Sequence, residues 1–133
     1  MTNVIALDVG TKRIGVAVAD TLVPIASPLT TIVVDGDEID AVGRLVADRS
    51  AKLIVVGYPR NQAGDATEQT AYAQAFGEKL RGLADVAYQD ESLTSVMAES
   101  RLKASGKPYQ KADIDAEAAV IILQDYLEIH HAA

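Results

Sequence analysis

Val4-Ile5-Ala6-Leu7-Asp8-Val9-Gly10-Thr11-Lys12-Arg13-Ile14-Gly15-Val16-Ala17-Val18-Ala19 decides how the rest of the chain is read. Two apolar runs flank a Gly-Thr-Lys-Arg turn, which is the pattern of two strands of a buried sheet joined as a hairpin. Asp8 interrupts the end of the first run. A charge left unpaired among apolar residues is costly, so a cation or a hydrogen-bond network is expected to meet it. Taken alone, Asp8 either accepts bonds from the turn amides or serves as a ligand. Gly10 and Gly15 either form a tight turn and a packing contact or admit a helix, metal or phosphate close to the backbone. Their spacing is that of a P-loop, but Val16-Ala17 stand where Lys and Ser/Thr are required, and that motif fails.

Composition sets the bounds around this hairpin. The 133 residues suit one domain spanning 1–133, with 49% hydrophobic and 23% charged residues. Without cysteine, disulfides, thiolate chemistry and Cys-based zinc sites are excluded. The first residues lack the basic start and apolar stretch of a signal peptide, and no apolar run approaches the roughly 18 residues of a membrane span. A cytoplasmic protein with no membrane partner is expected. A net charge of −7 argues against a protein that coats nucleic acid. Yet Ser100 to Ala112 carries Arg101, Lys103, Lys107 and Lys111 and no acid. Such a strip suits an enzyme touching phosphates at one place, or simply a solvated helix face and loop.

Further along, Leu29 to Val34 reads as a third strand. Asp37 stands where it can cap a helix ending near Arg49, with Ile39, Val42, Leu45 and Val46 at helical spacing. Leu53-Ile54-Val55-Val56-Gly57 reads as a central strand covered on both faces. The loop Tyr58 to Gly64 follows. Asp65 and Glu68 resemble a capping box opening a helix that closes near Gly82. Asp85 to Gln89 is a short strand, Leu93 to Ser105 a helix, and Asp113 to His130 a last, buried helix with Asp113 as its N-cap. The paired histidines His130 and His131 fall at a frayed end. The order β-β-β-α-β-α-β-α-α predicts an α/β fold: a mixed five-stranded sheet of three antiparallel and two parallel strands, with helices on both faces. Its site is expected at the carboxyl ends of the strands.

Three carboxylates stand out there. Asp8 ends the first strand, Glu91 follows the last, and Asp115 shares a helix face with Ala119, Ile122 and Tyr126 that must pack on the sheet. Singly, Glu91 also reads as a solvated or capping residue. Three inward carboxylates with no Cys or His favour hard cations, Mg²⁺ or Mn²⁺. Two such ions would suit phosphodiester cleavage.

Four segments together resemble the YqgF (RuvX) family of pre-16S rRNA nucleases and Holliday-junction-resolvase-like proteins, which have an RNase H-like fold. They are Leu7 to Ala17, Val55 to Asn61, Asp90 to Ser95 and Ile114 to Leu123, in the family's order and over essentially the whole chain. The resemblance implies that Asp8, Glu91 and Asp115 are an acidic triad that binds divalent metal and activates water, and that the Asn61 loop borders the site. Lys12, Arg13, Arg60, Arg101, Lys103, Lys107 and Lys111 are then available to phosphate. Two positions depart from the family pattern: Ala63 replaces an acid before Gly64, and Ser92 replaces an arginine.

The expected function is a metal-dependent nuclease maturing the 5′ end of pre-16S rRNA, in association with the ribosome. Cleavage of branched DNA is the alternative with the same chemistry, and a two-fold junction would suit a homodimer rather than a monomer. A non-catalytic RNA-binding module in ribosome assembly is the alternative of another class. An actin-like phosphotransferase would need two such domains, and the length supplies one.

Overall fold

A computed structural model describes residues 3–61, 63–91 and 94–131. Ser92, and Leu93 as the expected start of the third helix, lie outside them. The elements are β1 (Asn3–Val9), β2 (Arg13–Asp20), β3 (Val23–Val33), α1 (Glu38–Arg49), β4 (Ala51–Pro59), α2 (Glu68–Glu78), β5 (Asp85–Glu91), α3 (Thr94–Ala104) and α4 (Lys111–His131). The strands lie in the order β3-β2-β1-β4-β5. The pairs β1·β2 and β2·β3 are antiparallel, whereas β1·β4 and β4·β5 are parallel. The expected element order and mixed sheet are both present.

Strand alternation divides the core in two. Ile5, Leu7, Val9, Ile14 and Val16 face α1 and α2, where Val42, Val46, Ala73, Phe76 and Leu80 close over them. Val4, Ala6, Ala17 and Val55 face α4, meeting Ala119, Val120, Ile122, Leu123 and Leu127. Helix α3 packs outside α4 through Ala98 against Ala118 and Ile121. Every residue of α4 from Ala118 to Leu123 is buried, as its sequence predicts. Among the described residues, no helix is long and apolar enough to cross a membrane.

Several local expectations change. The third strand begins at Val23 rather than Leu29 and runs through Pro24 and Pro28. It is a sheet edge, where a missing N–H costs no ladder bond, and its register shifts between Val16 and Ala17 of its partner strand. Tyr58 and Pro59 belong to β4, and Asp90 and Glu91 to β5, rather than to loops. Asp37 occupies the N-cap of α1 without a side-chain cap bond. Asp113 lies inside the first turn of α4, where its Oδ2 accepts the Gln110 amide at 2.8 Å. Helix α2 ends at Glu78, before Gly82. Helix α4 continues through His131, with His130 stacked on Tyr126 at 4.0 Å between ring centroids.

The capping box of α2 is formed by Thr67 and Thr70 rather than Asp65 and Glu68. Thr70 is 2% exposed. Its hydroxyl accepts the Thr67 amide at 2.9 Å and donates to the Pro59 carbonyl, pinning the start of α2 over the end of β4. Thr70→Val removes both bonds in a buried place and is expected to cost about 1–3 kcal/mol. Urea denaturation would read this as a lower midpoint at unchanged slope. An unchanged midpoint would remove this role from Thr70.

Candidate functional site

Asp8 faces α4, because alternation along β1 places it with Val4 and Ala6. Across the antiparallel ladder it pairs with Gly15. On its other flank Leu7 pairs with Val56, which brings Gly57, the next residue of β4, alongside Asp8. Both neighbours of the carboxylate therefore lack a side chain.

The two glycines make room for the other two acids. A Cβ on Gly15 would lie 1.8 Å from the Asp115 carbonyl oxygen, so the first turns of α4 rest directly on β2. A Cβ on Gly57 would lie 2.7 Å from Ile122 Cδ1 and 3.0 Å from Glu91 Cδ. Glu91 ends β5 opposite Pro59, two residues beyond buried Gln89, which pairs with Gly57 on the same face. Asp8, Glu91 and Asp115 thus occupy one face of the sheet at the carboxyl ends of β1 and β5, where α/β sheets carry their ligands.

Electrostatics single out Asp8. Burial, and secondarily the negative charge of Asp115, push its carboxyl from the ordinary 3.8 up to about 7. Asp115 is held differently: Arg13 Nε donates to its Oδ2 at 2.5 Å, with 35% and 21% of the two side chains exposed. Among the described residues, no three Asp, Glu or His side chains are gathered tightly enough to hold a metal ion. Asp115 is drawn toward Arg13 instead. The chemistry of the three acids still fits a hard divalent cation, since all are carboxylates, and the missing Cβ atoms of Gly15 and Gly57 let α4 and Glu91 approach the strand that carries Asp8.

The rim is built from backbone clamps. Gln69 Nε2 donates to the Val9 carbonyl at 3.0 Å, and the Arg60 amide donates to the Glu91 carbonyl at 3.3 Å. Asn61 serves its own loop, its Oδ1 accepting the Asp65 amide at 2.9 Å and its carbonyl the Gly64 amide at 2.9 Å. The loop holds exposed Ala63 and turns at Gly64, with φ +86°. Arg60 lies 5.3 Å above the Tyr58 ring and pairs with Asp90 at 3.2 Å. Lys12 is exposed in the β1–β2 turn. Of the basic strip, Arg101 pairs with Glu117 at 3.0 Å, while Lys103, Lys107 and Lys111 are exposed where α3 passes into α4.

Sequence reading missed Gly57, Gln69 and Gln89. Gly57 carried a signal, since a glycine closing a β-branched run marks a close approach. Gln69 carried none, because its amide binds a main-chain carbonyl 60 residues earlier.

A family model described as "RuvX: Holliday junction resolvase" matches residues 2–129. The chain is 42% identical over 137 residues to a protein of Dechloromonas aromatica (strain RCB) named "Putative pre-16S rRNA nuclease", covering 98% of this chain and 94% of that one. Proteins of the same name from Chloroflexus aggregans and Lactococcus lactis subsp. lactis are 44% and 38% identical, with 95% and 96% of this chain covered and 93% and 95% of theirs. Among solved structures, T. thermophilus RuvC in complex with a Holliday junction substrate superimposes with a TM-score of 0.62 at 15% identity, covering 100% of this chain and 98% of that one. The Fowlpox virus resolvase in complex with Holliday junction DNA gives 0.56 at 9% identity, covering 96% and 98%. At such identities the likeness shows a common fold.

Proposed function

The chain belongs to the RuvX family, and from that membership and its carboxylate cradle we propose that it is a divalent-metal-dependent nuclease hydrolysing phosphodiester bonds in precursor 16S rRNA. The observation that carries this reading is the buried Asp8 carboxyl, pushed up to about 7 with Asp115 beside it and Glu91 on the same face. Such an arrangement is expensive for a fold and useful to a cation. The names of the relatives support precursor 16S rRNA as substrate, and a substrate of that kind would set the reaction in ribosome biogenesis, in the cytoplasm.

In this reading Asp8, Glu91 and Asp115 hold Mg²⁺ or Mn²⁺. The bound ion would stabilise negative charge on the attacking and leaving oxygens of the phosphodiester. The protein's own contribution is positional. Gly15 and Gly57 let α4 and Glu91 close on Asp8, and the Gln69–Val9 and Arg60–Glu91 bonds hold the strand ends that present the acids. Lys12, Lys107 and Lys111, all exposed, receive the polynucleotide backbone near the same end of the sheet. Arg60, already paired with Asp90, contributes less free charge.

The test sets wild type beside Asp115→Asn on a precursor 16S RNA fragment and on a four-way DNA junction, with Mn²⁺. The wild-type protein is expected to cut the RNA, and the variant to cut neither substrate. Equal activity of the two proteins would overturn the site. Preferred cutting of the junction would replace RNA by branched DNA as substrate. Binding of RNA without cleavage by wild type would leave a binding module and overturn the nuclease reading.

A further inference from the structure

Arg13 is the feature of this cradle that metal binding by the three acids would not by itself require. It opens β2, two residues before Gly15, so alternation puts its side chain on the α4 face. The contact of Gly15 with the Asp115 backbone fixes the distance between strand and helix. Arg13 and Asp115 therefore meet across 102 residues of chain at positions set by main-chain packing, with Nε 2.5 Å from Oδ2. A charge-assisted bond this short in a part-buried place occupies the oxygen that a cation would take. It also puts a positive charge where a second one must arrive.

We propose that Arg13 is an internal counter-cation: it holds Asp115 in the metal-free protein, competes with divalent metal for that carboxylate, and on release is presented to the substrate phosphate. The proposal rests on the reading of Asp115 as a metal ligand. The turn carrying Arg13 is secured by main-chain bonds, Gly10 N–H to the Arg13 carbonyl at 3.0 Å and Val34 N–H to the Lys12 carbonyl at 3.0 Å. The side chain can leave Asp115 without the hairpin opening. It is 35% exposed, so its guanidinium has a solvent-facing side onto which to turn. Its planar fork then suits a phosphate better than an ammonium would. By linkage, metal and polynucleotide should each raise the affinity for the other.

Calorimetric titration with Mn²⁺ tests this on wild type, Arg13→Gln and Lys12→Gln at about 0.1 M salt. Lys12→Gln removes the same charge from the same turn, at a residue with no ion pair to Asp115 among the described salt bridges. Arg13→Gln is expected to bind Mn²⁺ roughly tenfold more tightly than wild type, and Lys12→Gln within about twofold of it. Equal gains in both variants would reduce the effect to net charge and overturn the proposal. Unchanged or weaker binding by Arg13→Gln would overturn it while leaving the metal site standing. No Mn²⁺ binding by any of the three would overturn it together with the reading on which it rests. Wild-type protein supplies a readout independent of any substitution: the Arg13 Nε–H resonance should move upfield as Mg²⁺ is added. A resonance that stays fixed while Mg²⁺ binds would also overturn the competition.

Discussion

At pH 8 the Asp8→Asn protein is expected to melt several degrees above wild type while losing metal-dependent cleavage by on the order of 10³-fold. The two effects share one cause. Burial and the charge of Asp115 push the Asp8 carboxyl from 3.8 to about 7, so the folded protein holds this proton more tightly than the unfolded chain does. With the folded value above the unfolded one, the ionised form costs stability. The cost is absent below about pH 4, grows as pH rises toward 7, and is complete above it. At its full extent it corresponds to about 4 kcal/mol at most. Asparagine keeps the shape and removes the charge, so the pH dependence between about 4 and 7 should flatten. Added Mn²⁺ is expected to raise the melting temperature of wild type and not that of the variant. A variant melting below wild type at pH 8 would refute the burial argument. A variant that cleaves normally would remove Asp8 from the site.

The second large effect separates the two glycines that flank Asp8. Gly15→Ala places a Cβ 1.8 Å from a main-chain oxygen of α4, and no side-chain rotation relieves that contact. The helix must lift from β1 and β2, whose Ala6 and Ala17 it covers. A loss of at least about 3 kcal/mol is expected, near 10 °C in melting temperature, with metal affinity falling alongside. Gly57→Ala meets the ends of two flexible side chains, Ile122 Cδ1 and the Glu91 carboxyl. These can shift, so its stability should stay within about 2 kcal/mol of wild type. Glu91 is displaced in the process, and cleavage is expected to fall about 10- to 100-fold. Thermal melts and Mn²⁺-dependent assays on both variants check the contrast. Normal cleavage by Gly57→Ala would place Glu91 away from the reacting centre. A mild effect of Gly15→Ala would mean that α4 does not rest on β2.

Much of the fold was legible because local chemistry carried it. The apolar runs at Val4–Val9 and Leu53–Gly57 announced buried strands, and Ala118–Leu123 a helix covered all round. What misled was also local. Asp65 with Glu68 and Thr67 with Thr70 both have capping spacing, and the choice fell to Thr70 because its buried hydroxyl also reaches Pro59. Pro24 and Pro28 argued against a strand until strand order made β3 an edge. Asn61 ties its own loop together, and the loop stays beside Glu91 through the Arg60 amide. Arg101, taken as free for phosphate, is paired with Glu117.

The sequence by itself determined the element order, the mixed sheet and the family pattern that singled out Asp8, Glu91 and Asp115. Only the tertiary structure decided which face Asp8 takes, since a strand apolar on both sides hides its own alternation. It also decided that Gly15 receives α4 and that Arg13 holds Asp115. The division has a physical basis. Periodicity and turn chemistry act over a few residues and are written in the local sequence. A charge's partner a hundred residues away is chosen by strand order and helix packing, which exist only once the chain has closed.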